Sequence, residues 1–491
     1  MTTLMFACLL LATALGCSSG GPPESDAEVP DHQLWFTKST KESTRKYFAH
    51  YFGPSPRSAD NLAPDYYTRN FLSASGEEGK HAAYGGFWRD RPLERPPISG
   101  DFRLQDAKWE ISTAQAMGVD GFLVNILGLN DSSYKVYVTL VNAAVELDSR
   151  FKIVPMVDAN GEAAAAATPE QWGAAMTYFI GKSSSYSLPD GRFLVASFAA
   201  DKKAPSWWSD RLSAISSVNG VPVAFHAGLL NLSAIDAFAP IASFIGPWSY
   251  GADPAAIRSI WPQAAAIARA SGSSWMGSVL TQNVRPSQAT FDEAANSEAL
   301  RASWSRVIYE RADLVQAVTW NDFSEGGQLV PSVARGWGPA AMAAYYAEEW
   351  KTGVLPRILR DVVIVSHRDQ PLEGASYQSR QTVLMTRKAS DGATTPLRDE
   401  VEAITYLTAP AEVTVVVAGV TTSYVAPAGE HAMTFPIGTG LVSASVSRNG
   451  VEVAAVDSPF NISKTPVSQD RQYFFASSLD GTIGQHPLMT R

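Results

Sequence analysis

The sequence predicts an α/β protein in which a (β/α)8 barrel is followed by a smaller β-sandwich. Eight short apolar segments alternate with helical patterns between residues 46 and 350, and a β-rich region follows residue 360. No glycine-rich dinucleotide fingerprint or phosphate loop follows any apolar segment, which disfavours an open doubly wound sheet. With 491 residues, the chain is long enough for a barrel and a second domain.

The eight predicted strands mostly lack strict alternation of apolar and polar residues, as expected for strands buried on both faces. In chain order they cover residues 46–52, 119–127, 151–158, 193–199, 221–227, 243–250, 274–282 and 314–321.

Helical periodicity separates these strands. Leu104, Ala107, Ile111 and Ala114 recur every three or four residues and place one apolar face on a helix that ends near Gly118. Similar patterns cover residues 134–147, 170–180, 206–215, 255–270, 300–308 and 339–350, and the fifth connection, at 232–238, is short.

The connection between the first strand and its helix is about fifty residues long, which is unusual. It contains Tyr66, Tyr67, Trp88 and a proline-rich run at 91–97. We expect it to lie over the active-site face of the barrel. The alternative is a loosely ordered decoration.

After residue 360 the composition shifts to short β-prone segments separated by turn residues, which predicts a small β-sandwich. These segments cover residues 362–365, 381–386, 401–407, 411–417, 423–425, 430–436, 442–446 and 451–456. We place the barrel at residues 35–360 and the accessory sandwich at 361–491. The accessory domain either binds glycan or covers one side of the barrel.

The N-terminus is typical of an export signal. An apolar run at residues 4–15 is too short for a stable membrane span, and Cys17 follows it. Residues 1–17 resemble a bacterial lipoprotein signal in which Cys17 is lipidated, and residues 18–34 form a flexible tether. The predicted location is extracellular or cell-surface, with membrane contact only through the lipid. The alternative is an ordinary signal peptide with an incidental cysteine.

Composition also excludes several classes of function. The net charge is −9 and no Lys/Arg-rich run occurs, so nucleic acid is not an expected partner. No cluster of His, Cys or Asp has metal-ligand spacing, so no metal or other cofactor is predicted. The sequence also contains no nucleophile elbow, the Gly-x-Ser-x-Gly motif that carries a catalytic serine.

The most informative stretch is residues 317–327, where an apolar strand leads into Asp322 and Glu325 and then into two glycines. Carboxylates just past a barrel strand end are placed where such folds carry catalytic groups. The pair could act as the acid and base of a glycosidase. The alternative is a helix N-terminus, with Asp322 as cap and Glu325 completing a capping box.

Other candidate residues lie at neighbouring strand ends. Asp158 and Asp201 are predicted to bind substrate hydroxyls or to tune pKa values, with loop capping as the alternative. His50 and His226 could bind sugar hydroxyls or be ordinary core histidines. Further candidates for substrate binding, mainly aromatic stacking platforms, are Asn321, Trp320, Trp248, Tyr250, Trp88, Trp207 and Trp208.

Three motifs together resemble glycoside hydrolase family 71, the α-1,3-glucanases or mutanases. They are Tyr-Phe-Ala-His-Tyr-Phe at 47–52, Ala-Met-Gly-Val-Asp-Gly-Phe at 116–122 and Thr-Trp-Asn-Asp-Phe-Ser-Glu at 319–325. The resemblance covers roughly residues 46–350 and not the C-terminal domain. It implies an α-glucan polysaccharide as substrate, hydrolysis with inversion and catalysis by Asp322 and Glu325. The ends of the third and fourth strands, at Asp158 and Asp201, depart from the family pattern.

The sequence therefore predicts a secreted or surface-anchored hydrolase of α-1,3-glucan or a related α-glucan. Inversion needs two carboxyl groups about 6.5–9.5 Å apart, which residues three apart on a turning chain can reach. We assign Asp322 as base and Glu325 as acid, and the reverse assignment stays open. The alternative function is a non-catalytic glycan-binding lipoprotein, which has no need for a paired acid and base.

Overall fold

The computed structural model describes residues 35–39, 41–53, 66–93, 100–147, 150–248, 251–379, 381–388 and 392–480. The predicted signal with Cys17, the tether, and Tyr250 lie outside the described residues. Among the described residues, no helix is long and apolar enough to cross a membrane.

Eight parallel strands close into a barrel in the order β1-β8-β7-β6-β5-β4-β3-β2, which confirms the predicted fold. The strands are β1 (Tyr47–Tyr51), β2 (Gly121–Ile126), β3 (Lys152–Asp158), β4 (Phe193–Phe198), β5 (Val223–Leu229), β6 (Phe244–Pro247), β7 (Ser274–Val279) and β8 (Leu314–Ala317).

In the part of the chain that the structure describes, seven main helices surround the barrel. The fifth connection holds a 3-10 turn, Leu232–Ala234, and a single α-helical turn, Ile235–Phe238. Thr168 begins α3 with a capping box, and Asp253 caps α5 through the backbone N–H groups of Ala255 and Ala256. The helices are α1 (Phe102–Ala116), α2 (Ser132–Glu146), α3 (Pro169–Met176), α4 (Pro205–Asn219), α5 (Pro254–Ala270), α6 (Glu298–Tyr309) and α7 (Gly338–Thr352).

The inside of the barrel is a packed core and not a pore. Alternate strand residues such as Phe48, Leu123 and Met276 fill it, and Tyr186 and Leu188 join this cluster. Residue Ser185, just before Tyr186, pairs with the start of β3, so this plug lies at the N-terminal end of the strands. A reacting substrate is therefore restricted to the opposite, C-terminal mouth.

Two four-stranded antiparallel sheets form the predicted sandwich. Their orders are β13-β10-β9-β16 and β12-β11-β14-β15. The strands are β9 (Val362–His367), β10 (Glu400–Leu407), β11 (Ala411–Val417), β12 (Val420–Ala426), β13 (Gly429–Pro436), β14 (Val442–Arg448), β15 (Val451–Asp457) and β16 (Phe474–Ser477).

Strand β9 of the first sheet is buried on both faces. Val363 and Val365 of β9 pack against the second sheet, whereas Val362 and Ile364 join the core that surrounds the barrel. The sandwich is therefore packed on the barrel through β9 and its neighbours.

One predicted sandwich strand is wrong. Residues 381–386 contribute no strand to either sheet, because only Thr386–Arg387 has strand pairing, and it pairs with Thr290–Phe291 in the connection after β7. In that connection Thr290–Phe291 also pairs with Val284–Arg285. This stretch therefore belongs to the rim of the barrel.

The long connection after β1 lies against the segment that follows β8. The Trp88 ring is stacked between Phe71, at 4.3 Å, and Phe323, at 5.5 Å between ring centroids. Asp90 accepts hydrogen bonds from Gln328 Nε2 (2.7 Å) and from the backbone N–H of Ala334 (2.9 Å). The connection is thus anchored at the C-terminal face, as its length predicts.

Candidate active site

The chain that leaves β8 folds into a compact loop, residues 319–330, which we call the acidic loop. The Thr319 N–H donates to Gly327 O (3.0 Å), and the Leu329 N–H donates to Thr319 O (2.9 Å), so the loop ends are held together. Gly326 has φ of +62°, a left-handed conformation that favours glycine. The strand geometry ends at Ala317, which lets the following residues turn over the mouth.

A buried arginine supports the acidic loop from behind. Arg335 Nη1 donates to Gln328 O (2.8 Å) and to Thr281 Oγ1 (2.9 Å), and Nη2 donates to Gly326 O. The side chain is almost fully buried, and burial lowers its pKa to about 10. This guanidinium fixes the backbone on which the two candidate carboxyls stand.

Asp322 is held in one orientation by three donors. Its Oδ1 accepts from the Ser324 N–H (3.0 Å), the Ser324 hydroxyl (2.6 Å) and the Glu325 N–H (3.2 Å). The residue is 7% exposed. Burial raises the pKa of this carboxyl, while the Ser324 hydroxyl and the Arg285 charge oppose the rise. Oδ2 accepts no hydrogen bond from the described chain, which leaves it able to take a proton from a water.

Glu325 is more open, and a single cation holds it. Its Oε2 accepts from Arg285 Nη2 at 2.7 Å, and its side chain is 29% exposed. Burial, and then the Asp322 charge, raises the pKa of Glu325 to about 7, although Arg285 opposes the shift. A carboxyl with a pKa near 7 can be protonated when it meets substrate, as a general acid must be.

One part of the capping alternative is confirmed and the other is wrong. Asp322 does cap the N–H groups of Ser324 and Glu325, but a turn follows and not a helix. The Glu325 side chain bonds Arg285 instead of returning to the loop backbone, so no capping box forms.

Arg285 is itself positioned by a chain of polar groups. Its Nε donates to Asn283 Oδ1 (2.7 Å), and Asn283 Nδ2 donates to Asp292 Oδ2 (2.7 Å). Asp292 in turn accepts from the Ala252 N–H (3.0 Å). This chain fixes the guanidinium at Glu325 from the connection after β7.

The family model for glycosyl hydrolase family 71 matches residues 97–478. The chain belongs to family 71. It is therefore a glycoside hydrolase, and the resemblance seen in its motifs is confirmed. The match extends across most of the sandwich, so the expected limit of the resemblance to residues 46–350 is wrong.

Solved structures similar to this family 71 chain include a GH99 endo-alpha-mannosidase from Bacteroides thetaiotaomicron. It has 12% identity and a TM-score of 0.48, over 62% of this chain and 97% of that chain. A glycosyl hydrolase family 2 member from Bacteroides cellulosilyticus DSM 14838 has 12% identity and a TM-score of 0.41, over 72% and 43% respectively. No curated protein matches the chain.

The structure places Asp158 at the mouth of the family 71 barrel. It ends β3 on the same face as the inward-pointing Val154 and Met156. Burial raises the pKa of its carboxyl, and hydrogen bonds from Asn160 and Asn125 oppose the rise. Asp158 is 8% exposed, so its predicted contact with substrate stays a prediction.

Asp201 has a structural contact instead. Its Oδ1 accepts from the Leu230 N–H (2.9 Å), which ties the turn after β4 to the end of β5. This is the loop-cap alternative, and a role in binding substrate stays a prediction.

His50 and Trp248 lie together inside the mouth. Their rings make an edge contact at 4.6 Å, and Trp248 makes a second edge contact at 4.6 Å with Phe198 of β4. Burial lowers the pKa of His50 to about 3, so its ring is neutral. Neither ring nitrogen has a hydrogen-bond partner in the described chain. A role of either residue in binding substrate stays a prediction.

Two other predicted substrate ligands are wrong. His226 is fully buried in the layer beneath Gly228, and its pKa is lowered by burial to about 3. Trp320 is fully buried on the outside of the barrel, where its Nε1 donates to Glu110 and its ring packs on Phe122. Asn321 Oδ1 accepts from the Phe52 N–H (2.7 Å) and so joins the acidic loop to the end of β1, and a role of Asn321 in binding substrate stays a prediction.

Two of the tryptophans suggested as platforms are also structural. Trp88 is enclosed between two rings, and Trp208 is buried with its Nε1 donating to Ala200 O (3.0 Å). Trp207 instead carries the Arg211 guanidinium over its ring at 3.6 Å.

Arg285, Asn283 and Arg335 are the residues that sequence reasoning missed. The first two belong to the polar run Thr281-Gln282-Asn283-Val284-Arg285, which directly follows β7. That position, past a barrel strand end, is the signal that could have pointed to them. Arg335 lies beyond the acidic loop and carries no comparable local signal.

Proposed function

We propose that this family 71 glycoside hydrolase cleaves α-1,3-glucan or a related α-glucan, with inversion at the anomeric carbon. The observation that carries the proposal is the different environment of two carboxyls on one loop. Burial raises the pKa of both carboxyls, but Asp322 is fixed by three donors that favour its ionised form, whereas Glu325 is more exposed and has its pKa raised to about 7. An inverting hydrolase needs such a pair, one ionised and one protonated.

In the proposed reaction Glu325 is the general acid. Its proton passes to the glycosidic oxygen as the bond from that oxygen to the anomeric carbon breaks. Its exposure allows contact with the leaving sugar, and Arg285 at 2.7 Å then stabilises the carboxylate that remains.

Asp322 is the general base. It takes a proton from the water that attacks the anomeric carbon from the opposite face, so the new hydroxyl forms with inverted configuration. The three donors to Oδ1 fix the carboxylate and favour its ionised form, which leaves Oδ2 to hold the water. Asp158, His50 and Trp248 lie at the mouth, and we expect them to contact the sugar that reacts.

The test is release of reducing sugar from insoluble α-1,3-glucan, with α-1,4-, α-1,6- and β-glucans and α-mannan assayed in parallel. We expect hydrolysis of the α-1,3-glucan and release of the β-anomer, followed by NMR before mutarotation. The Asp322→Asn/Glu325→Gln double variant is the matched control. Preferred cleavage of another polymer overturns the substrate, and release of the α-anomer overturns inversion.

A further inference from the structure

A second cavity, of about 560 Å³, lies where three separate stretches of chain meet, and we call it the junction pocket. Its walls come from residues 72–89 of the long connection, residues 369–379 after β9 and residues 461–470 before β16. Cavities that bind small ligands have volumes of about 300–1,000 Å³. The junction pocket therefore has room for a sugar unit.

Two carboxyls, Asp369 and Asp470, line the junction pocket. Burial, and then the neighbouring Asp470 charge, raises the pKa of Asp369 to about 7. Burial also raises the pKa of Asp470 to about 6, although Arg89 opposes this. Because each charge disfavours the other, the pair holds a proton near neutral pH. A protonated carboxyl beside an ionised one presents a donor and an acceptor, which suits neighbouring sugar hydroxyls.

Arg89 does not saturate this carboxyl pair. Its nitrogens donate to the carbonyl oxygens of Tyr84 (2.6 Å), Gly86 (3.0 Å) and Gln469 (2.9 Å). It forms no ion pair with either aspartate within the described chain. The guanidinium thus joins two of the walls without bonding either carboxyl. Asp470 accepts from Gln472 instead, Oδ1 from its N–H (2.9 Å) and Oδ2 from its Nε2 (3.0 Å), and each oxygen keeps a second lone pair for a sugar hydroxyl.

The wall behind Asp369 is fixed. Gln370 is fully buried, and its Nε2 donates both to Asp369 Oδ1 (3.1 Å) and to Ser468 O (3.1 Å). Its Oε1 has no hydrogen-bond partner in the described residues. Asp369 is therefore held in place before any ligand arrives, which lowers the entropy lost on binding.

The rim of the junction pocket carries groups that suit a neutral, hydroxyl-rich ligand. Gln378 and Asn461 supply exposed amides, and Ser463 and Thr465 supply hydroxyls. Val467, which is 67% exposed, supplies an apolar surface. No group of three or more His, Cys, Asp or Glu side chains in the described chain could hold a metal ion. These groups favour a sugar over a divalent cation, which prefers a larger set of oxygen ligands.

The junction pocket adjoins the acidic loop through one side chain. Trp88 lines the pocket, and its ring stacks on Phe323, which lies between Asp322 and Glu325 in sequence. The pocket and the acidic loop therefore share this ring contact.

We propose that the junction pocket is a second carbohydrate site, which binds a neutral sugar unit of the polysaccharide outside the acidic loop. Asp369 and Asp470 bind the hydroxyls, and residues 461–467 of the sandwich form the rim. This inference rests on the proposed function for the identity of the glycan. It gives the sandwich a role in holding the polymer.

The test is binding of the full chain carrying Glu325→Gln, so that substrate is not consumed. The probes are insoluble α-1,3-glucan in a sedimentation assay and soluble α-1,3-gluco-oligosaccharides in calorimetry, with α-mannan and a β-glucan in parallel. Thr465→Trp, added to this background, fills the pocket from its rim. We expect affinity for the polymer to fall at least about tenfold, which corresponds to about 1.4 kcal/mol.

Thr421→Trp is the matched control, because Thr421 is an exposed residue of β12 and does not line the pocket. Asp369→Asn with Asp470→Asn is a second variant that keeps the shape of the walls, and it should also weaken binding. Unchanged affinity in Thr465→Trp overturns the proposal, as does a Ca²⁺ titration that depends on the aspartates while glucan binding does not. If the wild type hydrolyses no glucan but Thr465→Trp still loses binding, the proposal of a second carbohydrate site is supported. The proposed hydrolysis of α-1,3-glucan is then wrong.

Discussion

Two glutamate–arginine pairs in this molecule show how the same chemistry serves reaction in one place and structure in another. At the mouth, Glu325 and Arg285 are 2.7 Å apart, and their side chains are 29% and 23% exposed. At the junction between barrel and sandwich, Glu293 and Arg368 are 3.1 Å apart and are 0% and 1% exposed.

The two pairs differ most in the number of partners. Glu293 also accepts from the Tyr473 hydroxyl (2.6 Å) and the Ala295 N–H (2.9 Å), so both of its oxygens are bonded. The carboxylate of Glu325 accepts a hydrogen bond only from Arg285 among the described residues. A buried pair with every oxygen satisfied holds its surroundings in one arrangement, whereas a partly satisfied carboxyl with a raised pKa can exchange protons. Neutralising Glu325 at the mouth should therefore lower the reaction rate, whereas neutralising Glu293 at the junction should lower the free energy of unfolding.

The largest effect is expected for Asp322→Asn. The amide oxygen can still accept from Ser324 and Glu325, so the acidic loop should keep its fold, but the amide cannot take a proton from water. We expect turnover on α-1,3-glucan to fall by about a thousandfold or more. The midpoint of thermal unfolding should stay near that of the wild type. A folded variant with near-normal turnover removes Asp322 from the mechanism.

Glu325→Gln should be almost as damaging on polysaccharide, with a loss of about a hundredfold to a thousandfold. An α-glucosyl fluoride needs no proton on its leaving group, so this variant should keep a large share of activity on it. Asp322→Asn should fail on both substrates, which makes it the matched control. Rescue of Asp322→Asn and not of Glu325→Gln would show that the two roles are exchanged.

Glu293→Gln tests the buried pair of Glu293 and Arg368 at the junction between barrel and sandwich. It leaves Arg368 charged and buried without its partner, which typically costs about 3–5 kcal/mol of unfolding free energy. Chemical denaturation measures this loss, and the folded fraction should keep its specific activity. Glu452→Gln, at an exposed position on β15, is the control and should change little. A stable Glu293→Gln variant with impaired turnover would mean that the junction pair acts on the reaction.

The smallest effect is expected for Arg285→Gln. Loss of the hydrogen bond to Glu325 should lower kcat/KM by about tenfold. Because the Arg285 charge opposes the rise in the pKa of Glu325, its removal raises that pKa further above about 7. Glu325 must be protonated to act, so the alkaline limb of the pH–rate profile should move to higher pH. Arg285→Lys keeps the charge, and its limb should stay closer to that of the wild type.

The barrel could be predicted from the sequence because its signal is local. Each strand is a short apolar run, and eight such strands in a row predict closure into a barrel. Strict alternation places Trp320 inward with Gln316 and Val318, but the chain leaves strand geometry after Ala317 and the ring turns outward to Glu110. The side-chain direction predicted from strand periodicity is wrong where the backbone leaves strand geometry.

The candidate site was predictable only in part for a related reason. Asp322 and Glu325 lie three residues apart and follow a strand end, so both could be predicted. Arg285 reaches Glu325 from forty residues away, and Thr386–Arg387 joins the rim by pairing with Thr290–Phe291. Such long-range contacts leave no periodic signal in a single sequence.

The contacts of Tyr473 and Phe475 decide when, during translation, the active site gains its full support. The Tyr473 N–H donates to Gln282 (2.8 Å) beside the mouth, and the Phe475 N–H donates to Ala334 O (3.0 Å) behind the acidic loop. All eight barrel strands emerge well before these residues do. A nascent chain can therefore close its barrel early, but the polypeptide around Gln282 and Ala334 lacks its last partners until translation passes residue 475. The two carboxyls are supported in full only after these residues have been made, well after the last barrel strand.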